Sequence, residues 1–208
     1  MWIILLALTS AILIVGVETV KRRFSLPTAL TRRVIHAGTS IVATIAPLFI
    51  SREEIIVVSI VFAAALLAGH RSRFFSAIHA VTRSTFGEVY LPLGVAIAAL
   101  IFLPDNRSAF QFGVLVMGIA DPLAGLIGEQ FGTRRNQLLN NSKSLEGSLA
   151  FFISSLMLTL LFASSGTPIS SIILIPIVLT FVEHLLVYGL DNLALPIVAA
   201  YLIQTLTF

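Results

Sequence analysis

The sequence predicts an all-α fold, a polytopic bundle of seven or eight transmembrane helices, on three observations. Apolar residues make up 57% of the 208 and charged residues only 11%, with a mean hydropathy of +1.01, which leaves too little polar surface to clothe a soluble globule of this length. Apolar stretches near the length that crosses roughly 30 Å of hydrocarbon recur along the whole chain. Lysine and arginine fall almost entirely into alternate connections between those stretches.

The first stretch, about residues 2–20, is apolar before it is basic. A cleaved signal peptide carries its charge first and ends at a small-residue cleavage site, so this segment is expected to be a retained span. Further stretches fall at about 34–50, 54–69, 89–104, 109–128, 147–165, 169–187 and 192–207. The second and third are short and the last two are separated only by YGLDN, so a count of seven would make one segment re-entrant. No repeat of fixed period and no low-complexity linker divides the chain, and residues 1–208 are expected to form a single integral-membrane domain. Cysteine is absent, which excludes disulfides, thiolate metal sites and cysteine nucleophiles.

Orientation follows from the basic residues, because cytoplasmic loops are enriched in lysine and arginine. Lys21, Arg22, Arg23, Arg32 and Arg33 lie between spans one and two, Arg71, Arg73 and Arg83 between three and four, and Arg134, Arg135 and Lys143 between five and six. Only Arg52 and Arg107 fall on the other side. The N-terminus is expected outside and the odd-numbered loops in the cytosol.

Ionisable side chains inside hydrocarbon cost a few kcal/mol or more and normally face a cavity or a partner. Glu18, His36, Asp121, Glu183, His184, Asp191 and Asn192 are expected at one depth, near the cytosolic side, around a polar pocket. Plainer readings suit some of them: Glu18 pairs with Lys21 along one helix, Arg22 and Arg23 meet anionic headgroups, and His184 and His79 serve packing. Asp121 is different. It precedes Pro122, which interrupts the hydrogen-bond ladder, and it lies in GIADPLAGLIGEQFG, whose glycines allow close approach of a ligand or helix.

A second polar stretch, SKSLEGS at Ser142 to Ser148, opens the next span. A carboxylate such as Asp121 suits Mg²⁺, Lys143 offers a point charge to phosphate, Ser142 and Ser144 offer hydroxyls, and the new helix adds free N–H groups around Leu145 to Ser148. Ser144 with Glu146 and Gly147 is equally readable as a helix cap. No GxxxxGK[ST] loop and no protein-kinase motif set occurs, so the usual soluble ATP sites are absent.

In order along the chain, RRVIH at Arg32 to His36, ADPLAGLIGEQFG at Ala120 to Gly132, SKSLEGS, and FVEHLLVYGLDNLALP at Phe181 to Pro196 resemble the CTP-dependent lipid kinases, the family of phytol, farnesol and dolichol kinases and a eukaryotic diacylglycerol kinase. The resemblance spans about residues 32–200. The chain departs from the family pattern with Arg33 for a lysine, Ala120 for a glycine, Gly125 where a second aspartate is common, and a single aspartate before Asn192. These departures bear on the alcohol rather than on the reaction.

The resemblance implies transfer of the terminal phosphoryl group of CTP to a membrane lipid alcohol, polyprenol, dolichol or phytol-like, or to diacylglycerol. It implies Mg²⁺ on Asp121 and Asp191, and CTP bound by Arg32, Arg33, Gly128, Gly132, Ser142, Lys143, Ser144, Glu146 and Gly147. Asp121, Lys143, Asp191 and Glu183 form the catalytic set, with Asp191 or Glu183 orienting the hydroxyl. His36, Asn192 and Pro196 line the pocket. The expected partners are CTP, the lipid alcohol and the bilayer, with no nucleic acid. CTP as donor comes from the resemblance alone, since no residue is identifiable as a reader of cytosine.

Two other readings stand beside this one. The ADP and SKSLEG segments also resemble integral-membrane phosphatidate cytidylyltransferases, which use CTP on a lipid phosphate, although the Glu183, Asp191, Asn192 and Pro196 cluster is that of the kinases. An anionic-lipid transporter or scramblase would equally use a polar intramembrane pocket and a broken helix, but no inverted repeat is evident. The orientation is testable in this cysteine-free chain. A cysteine at Asn140 or Ser76 is expected to react with an impermeant reagent only from the cytosolic side and one at Ser165 only from the other; the reverse pattern overturns the topology.

Overall fold

Hydrocarbon offers a backbone no hydrogen-bond partner, so a crossing segment must satisfy its N–H and C=O groups internally, as a helix does. The computed structural model is an all-α bundle, and it describes residues 1–72, 86–133, 135–138 and 141–207. Among them are eight helices: α1 Trp2–Phe24, α2 Thr28–Ile45, α3 Arg52–Ser72, α4 Gly87–Phe102, α5 Arg107–Phe131, α6 Leu145–Phe162, α7 Ile169–Leu185 and α8 Asp191–Thr207. Helix α5 is interrupted by a π-helical turn at Val116–Ala120. By length and composition α1, α5 and α6 are each able to cross a membrane, and α4 and α7 are shorter apolar helices.

One element departs from the expectation of helices and turns. The segment before α6 contains a two-stranded antiparallel hairpin, β1 Arg135–Leu138 and β2 Asn141–Ser144, with Arg135 opposite Ser144 and Asn136 opposite Lys143. Arg73, Ser76, His79, Arg83, Arg134 and Asn140 lie outside the described residues, as do the side chains of Arg71, Arg135 and Ser142.

The helix boundaries have local causes. Pro27 and Pro168 stand immediately before α2 and α7, where a missing N–H breaks no ladder. Asn106 caps α5 by accepting from Ala109 N at 2.9 Å. Ser51 and Glu54 form a reciprocal box at the start of α3: Ser51 N donates to the Glu54 carboxylate at 2.8 Å and Glu54 N to the Ser51 hydroxyl at 3.3 Å. Between α7 and α8 the chain reverses through left-handed Tyr188 (φ 60°) and Gly189 (φ 85°).

The starts of α2, α4, α6 and α8 and the end of α5 share one end of the bundle, here termed the basic end. Asn192 Nδ2 donates to the Gly87 carbonyl at 2.7 Å there, and Arg33 bonds Glu129. At the opposite end the Trp2 and Phe49 rings lie 4.8 Å apart and the Ser164 hydroxyl donates to the Thr207 carbonyl at 2.5 Å.

Helices α5 and α8 form the centre. Phe110, Phe112, Val114, Val116 and Met117 are fully buried, as are Leu195, Ala199, Ala200 and Ile203. Large apolar side chains cover the outside instead, among them Leu161 and Ile169, each 75% exposed, and Phe181, the distribution of a surface solvated by lipid rather than water. With hydrophobic driving force absent between helices in lipid, close packing must hold them together. A Cβ on Gly94 would strike the Asn192 carbonyl and lie 3.0 Å from Pro196 Cγ, and one on Gly113 would strike the Pro196 carbonyl.

Gly113→Val is therefore expected to lower stability by about 1–3 kcal/mol through overpacking of α5 on α8. Leu161→Val on the lipid-facing surface is expected to leave it unchanged. Thermal unfolding of the purified protein in one detergent compares them, and equal melting temperatures would remove the tight crossing.

Candidate active site

Asp121 is placed by the break in α5. Pro122 has no N–H to return to the turn before it, and the helix takes up a π turn in which the Asp121 N–H donates to the Val116 carbonyl, five residues back. π turns of this kind recur at functional sites. Asp121 then stands as the first residue of the regular helix Asp121–Phe131.

Four further charged side chains come within electrostatic range of Asp121: Asp191, Glu183, Lys143 and Arg32. Lys143 and Arg32 also act on Asp191. These five come from α2, α5, β2, α7 and α8, and they are the Asp121, Lys143, Asp191, Glu183 and Arg32 expected from sequence. Lys143 reaches from β2 to the end of α7, where its ammonium donates both to the Glu183 backbone carbonyl and to Glu183 Oε1. Both side chains are largely buried, and Glu183 Oε2 has no hydrogen-bond partner among the described residues.

Asp191 begins α8, at the positive end of the helix dipole, and its Oδ1 accepts from Asn192 N at 2.9 Å. Asn192 is buried; its amide nitrogen is engaged by Gly87, and its Oδ1 has no partner among the described residues. The Arg32 guanidinium lies over Gly87, where a Cβ would come within 2.7 Å of it, and Gly87 in turn rests on Gly189.

Other predicted residues are present but occupied structurally. Arg33 makes a bidentate pair with Glu129 at 2.7 and 2.5 Å, passing over Gly125, where a Cβ would lie 2.8 Å from its Nε. Ser144 is the cap of α6, its hydroxyl accepting from Gly147 N at 3.0 Å. Gly128, Gly132 and Gly147 bring α5 against the start of α6: a Cβ on Gly128 would lie 2.8 Å from the Ser144 hydroxyl, and one on Gly147 would lie 2.9 Å from the Ala124 carbonyl. The Glu146 carboxylate accepts from Thr133 N at 3.1 Å and from its hydroxyl at 2.5 Å. Ser142 is in β2. Pro196 lies in the crossing of α8 with α4 and α5, away from Asp191 by one helical turn.

Sequence reasoning missed Glu129, Thr133 and Gly87. Glu129 is 96 residues from Arg33, and nothing local in GEQFG announces that partner. The glycine Gly87 is readable only once its contact with Gly189 is seen.

The chain is similar to proteins from three prokaryotes. A phytol kinase of Synechocystis sp. is 28% identical over 190 residues, covering 88% of this chain and 82% of that protein. An uncharacterized protein of Methanocaldococcus jannaschii is 34% identical over 118 residues, 57% of this chain and 58% of that protein. An uncharacterized protein of Rickettsia prowazekii is 32% identical over 147 residues, 66% of this chain and 68% of that protein. The chain belongs to the family of the Rickettsia protein. No protein-family model matches the chain, and no solved structure matches it significantly. Similarity to the phytol kinase runs across most of both chains, so a lipid kinase stands among this protein's relatives.

The cap at Ser144 gives a stability test. Ser144→Ala is expected to cost about 0.5–2 kcal/mol, and Ser144→Gly only a few tenths. Thermal unfolding that ranks alanine above or equal to serine would remove the cap.

Proposed function

We propose that this chain is a CTP-dependent kinase that transfers a terminal phosphoryl group to the hydroxyl of a membrane lipid alcohol, as a single integral-membrane catalytic domain with its site facing the cytoplasm. The observation that carries this reading is the convergence of Asp121, Asp191, Glu183, Lys143 and Arg32 at the basic end of an otherwise apolar bundle. The phytol kinase similarity supports the reaction class, and the four ordered motifs support CTP as the donor. The acceptor is of the polyprenol, dolichol or phytol type in preference to diacylglycerol.

Phosphoryl transfer demands in-line positioning and neutralisation of phosphate charge rather than covalent chemistry from the protein. Arg32 and Lys143 act on both aspartates of the cluster and supply that charge. Lys143 spends two of its three donors on Glu183, which fixes its ammonium at the site and leaves one for a phosphate oxygen. Asp121 and Asp191 fit Mg²⁺, which is commonly held by one or two carboxylates together with waters and phosphate oxygens. No group of three histidine, aspartate or glutamate side chains able to hold a metal occurs among the described residues; an ion held by two carboxylates would take its remaining ligands from phosphate oxygens and water. When bound, the ion offsets charge on the phosphates. The lipid oxygen bonds to the terminal phosphorus as the bond to the bridging oxygen breaks and CDP leaves; Asp191 or Glu183 takes the hydroxyl proton.

Three measurements test the reading. With CTP labelled separately in its terminal phosphate and in cytosine, the phosphate label is expected in the lipid; cytosine label there would make the enzyme a cytidylyltransferase, and label in neither would favour transport. Asp121→Asn is expected to lower turnover roughly 100-fold or more with helicity retained. Lys143→Met is expected to abolish most nucleotide use while Lys143→Arg keeps part of it, because charge survives without the point-like geometry. An unchanged CTP dependence in Lys143→Met would reduce this lysine to a structural partner of Glu183.

A further inference from the structure

Beside the charged cluster a groove runs between α1, α2, α3 and α4, with an empty volume of ≈ 980 Å³ counted to its open side. Its two ends differ in chemistry. Arg32, His36, Glu88 and Asn192 line the basic end, whereas Leu6, Ala46, Ile50 and Ile55 close the other. At about 1.5 Å per residue, His36 and Ala46 are separated by roughly 15 Å of helical rise, so the groove lies along the membrane normal rather than across the surface.

The polar end is built. His36 is only 8% exposed and holds a backbone hydrogen bond to Met117, in the π turn that precedes Asp121. Its Nε2 has no hydrogen-bond partner among the described residues, nor has the Oδ1 of buried Asn192. Two buried polar atoms left in this state are costly unless something completes them. With Nε2 unpartnered, the bond to Met117 is made by Nδ1–H; Nε2 is then an acceptor, as is Asn192 Oδ1, and a hydroxyl with its single O–H suits either one. A carboxylate, which only accepts, does not. The remaining wall is largely apolar, with the hydroxyls of Ser10 and Thr39 turned back onto carbonyls of their own helices, and a bilayer supplies apolar chains.

We infer that this groove is the acceptor site, holding one hydrocarbon chain of a primary alcohol with its hydroxyl bonded at His36 or Asn192 until the transfer, when its proton passes to Asp191 or Glu183, and with its tail toward Ala46 and Ile55. The inference rests on the lipid-alcohol reading above and adds to it a place, a direction and a length limit. Helix α1 packs mainly on α2 and touches α3 little, so the tail slides in from the bilayer between α1 and α3. Arg32 belongs to both the groove and the charged cluster, and the hydroxyl therefore meets the phosphate at the one point the two share. The closed end, where Ile55 and Ala46 are buried and Trp2 contacts Phe49, sets the longest chain that fits entirely.

The test uses geraniol, farnesol and geranylgeraniol, which lengthen by one isoprene unit at each step. Ala43→Phe narrows the groove about 10 Å beyond His36. It is expected to lower kcat/KM for geranylgeraniol by about tenfold or more relative to geraniol, since lost methylene contacts in a shaped pocket discriminate on that scale. Ile55→Ala is expected to shift the preference toward the longer alcohol. Retained geraniol turnover shows that the variants fold. An unchanged length preference in both variants overturns the inference. Independently of activity, geranylgeraniol carrying a diazirine at its tail is expected to label the wild-type protein at Leu6, Ala46 to Ile50 or Ile55. Labelling of the outer faces at Leu161 and Phe181 overturns it, as does stronger competition by dioleoylglycerol than by geranylgeraniol. Groove labelling without phosphoryl transfer to any alcohol would remove the kinase reading and leave the groove assigned as a lipid-alcohol site.

Discussion

A charge in hydrocarbon must be answered by another charge, and the basic end of this bundle is organised by that requirement. Removing an ion from water costs several kcal/mol, and only a well-placed partner with further hydrogen bonds recovers it. Lys143 is held by Glu183 through both backbone and side chain. Arg33 is held by Glu129, and Glu18, also buried, by Arg22 at 2.7 Å. The pairs join β2 to α7 and α2 to α5, and steady the end of α1. The hairpin gains its fixed place by that means, since its strands are polar and its one described buried lysine is anchored 40 residues away. Asp121 and Asp191 lie among these charges, within range of Lys143 and Arg32.

Close approach is the second requirement, because charges so disposed interact only if the helices carrying them nearly touch. Glycine supplies the approach at each crossing: Gly94 and Gly113 under α8, Gly87 under Gly189, and Gly128 against Gly147. Gly125 does the same for a side chain instead of a helix. There the Arg33 guanidinium occupies the space and finds its carboxylate one turn further on, at Glu129. A planar guanidinium reaches that carboxylate bidentately, where an ammonium would not.

Much of this was legible in the sequence. Eight apolar stretches correspond to eight helices because the membrane leaves a crossing backbone little choice. Asp121 was marked by the proline after it, and Lys143 and Glu183 by their rarity in so apolar a chain. What was not legible were relationships between distant segments. In the sequence the hairpin is no more than a polar stretch, because NNSKS has neither alternating apolar residues nor a two-residue glycine turn to announce strands. Gly128 and Gly132 are expected at the nucleotide from the motif, and in the fold both lie against Ser144, Gly128 also against Gly147; glycine serves phosphate and helix alike, and only the position of α6 shows the second use. Pro196 was placed in the pocket by its motif but stands in a helix crossing.

The π turn at Val116–Ala120 has a consequence of a different sort. Each residue of an α-helix advances the next by about 100°, and a π turn accommodates one extra residue, so everything after it is rotated in phase by that amount. The first half of α5 turns Phe110, Phe112 and Val114 inward to the core. The second half points its small residues at α6 and its acids toward α2 and the charged end. A single helix thereby presents two unrelated faces to two sets of neighbours, and the chain gains a second amphipathic surface without a loop. Such a register is discrete. No substitution can adjust it by degrees, whereas loss of one residue between Leu115 and Asp121 would reset the azimuth of Asp121, Gly125 and Glu129 together.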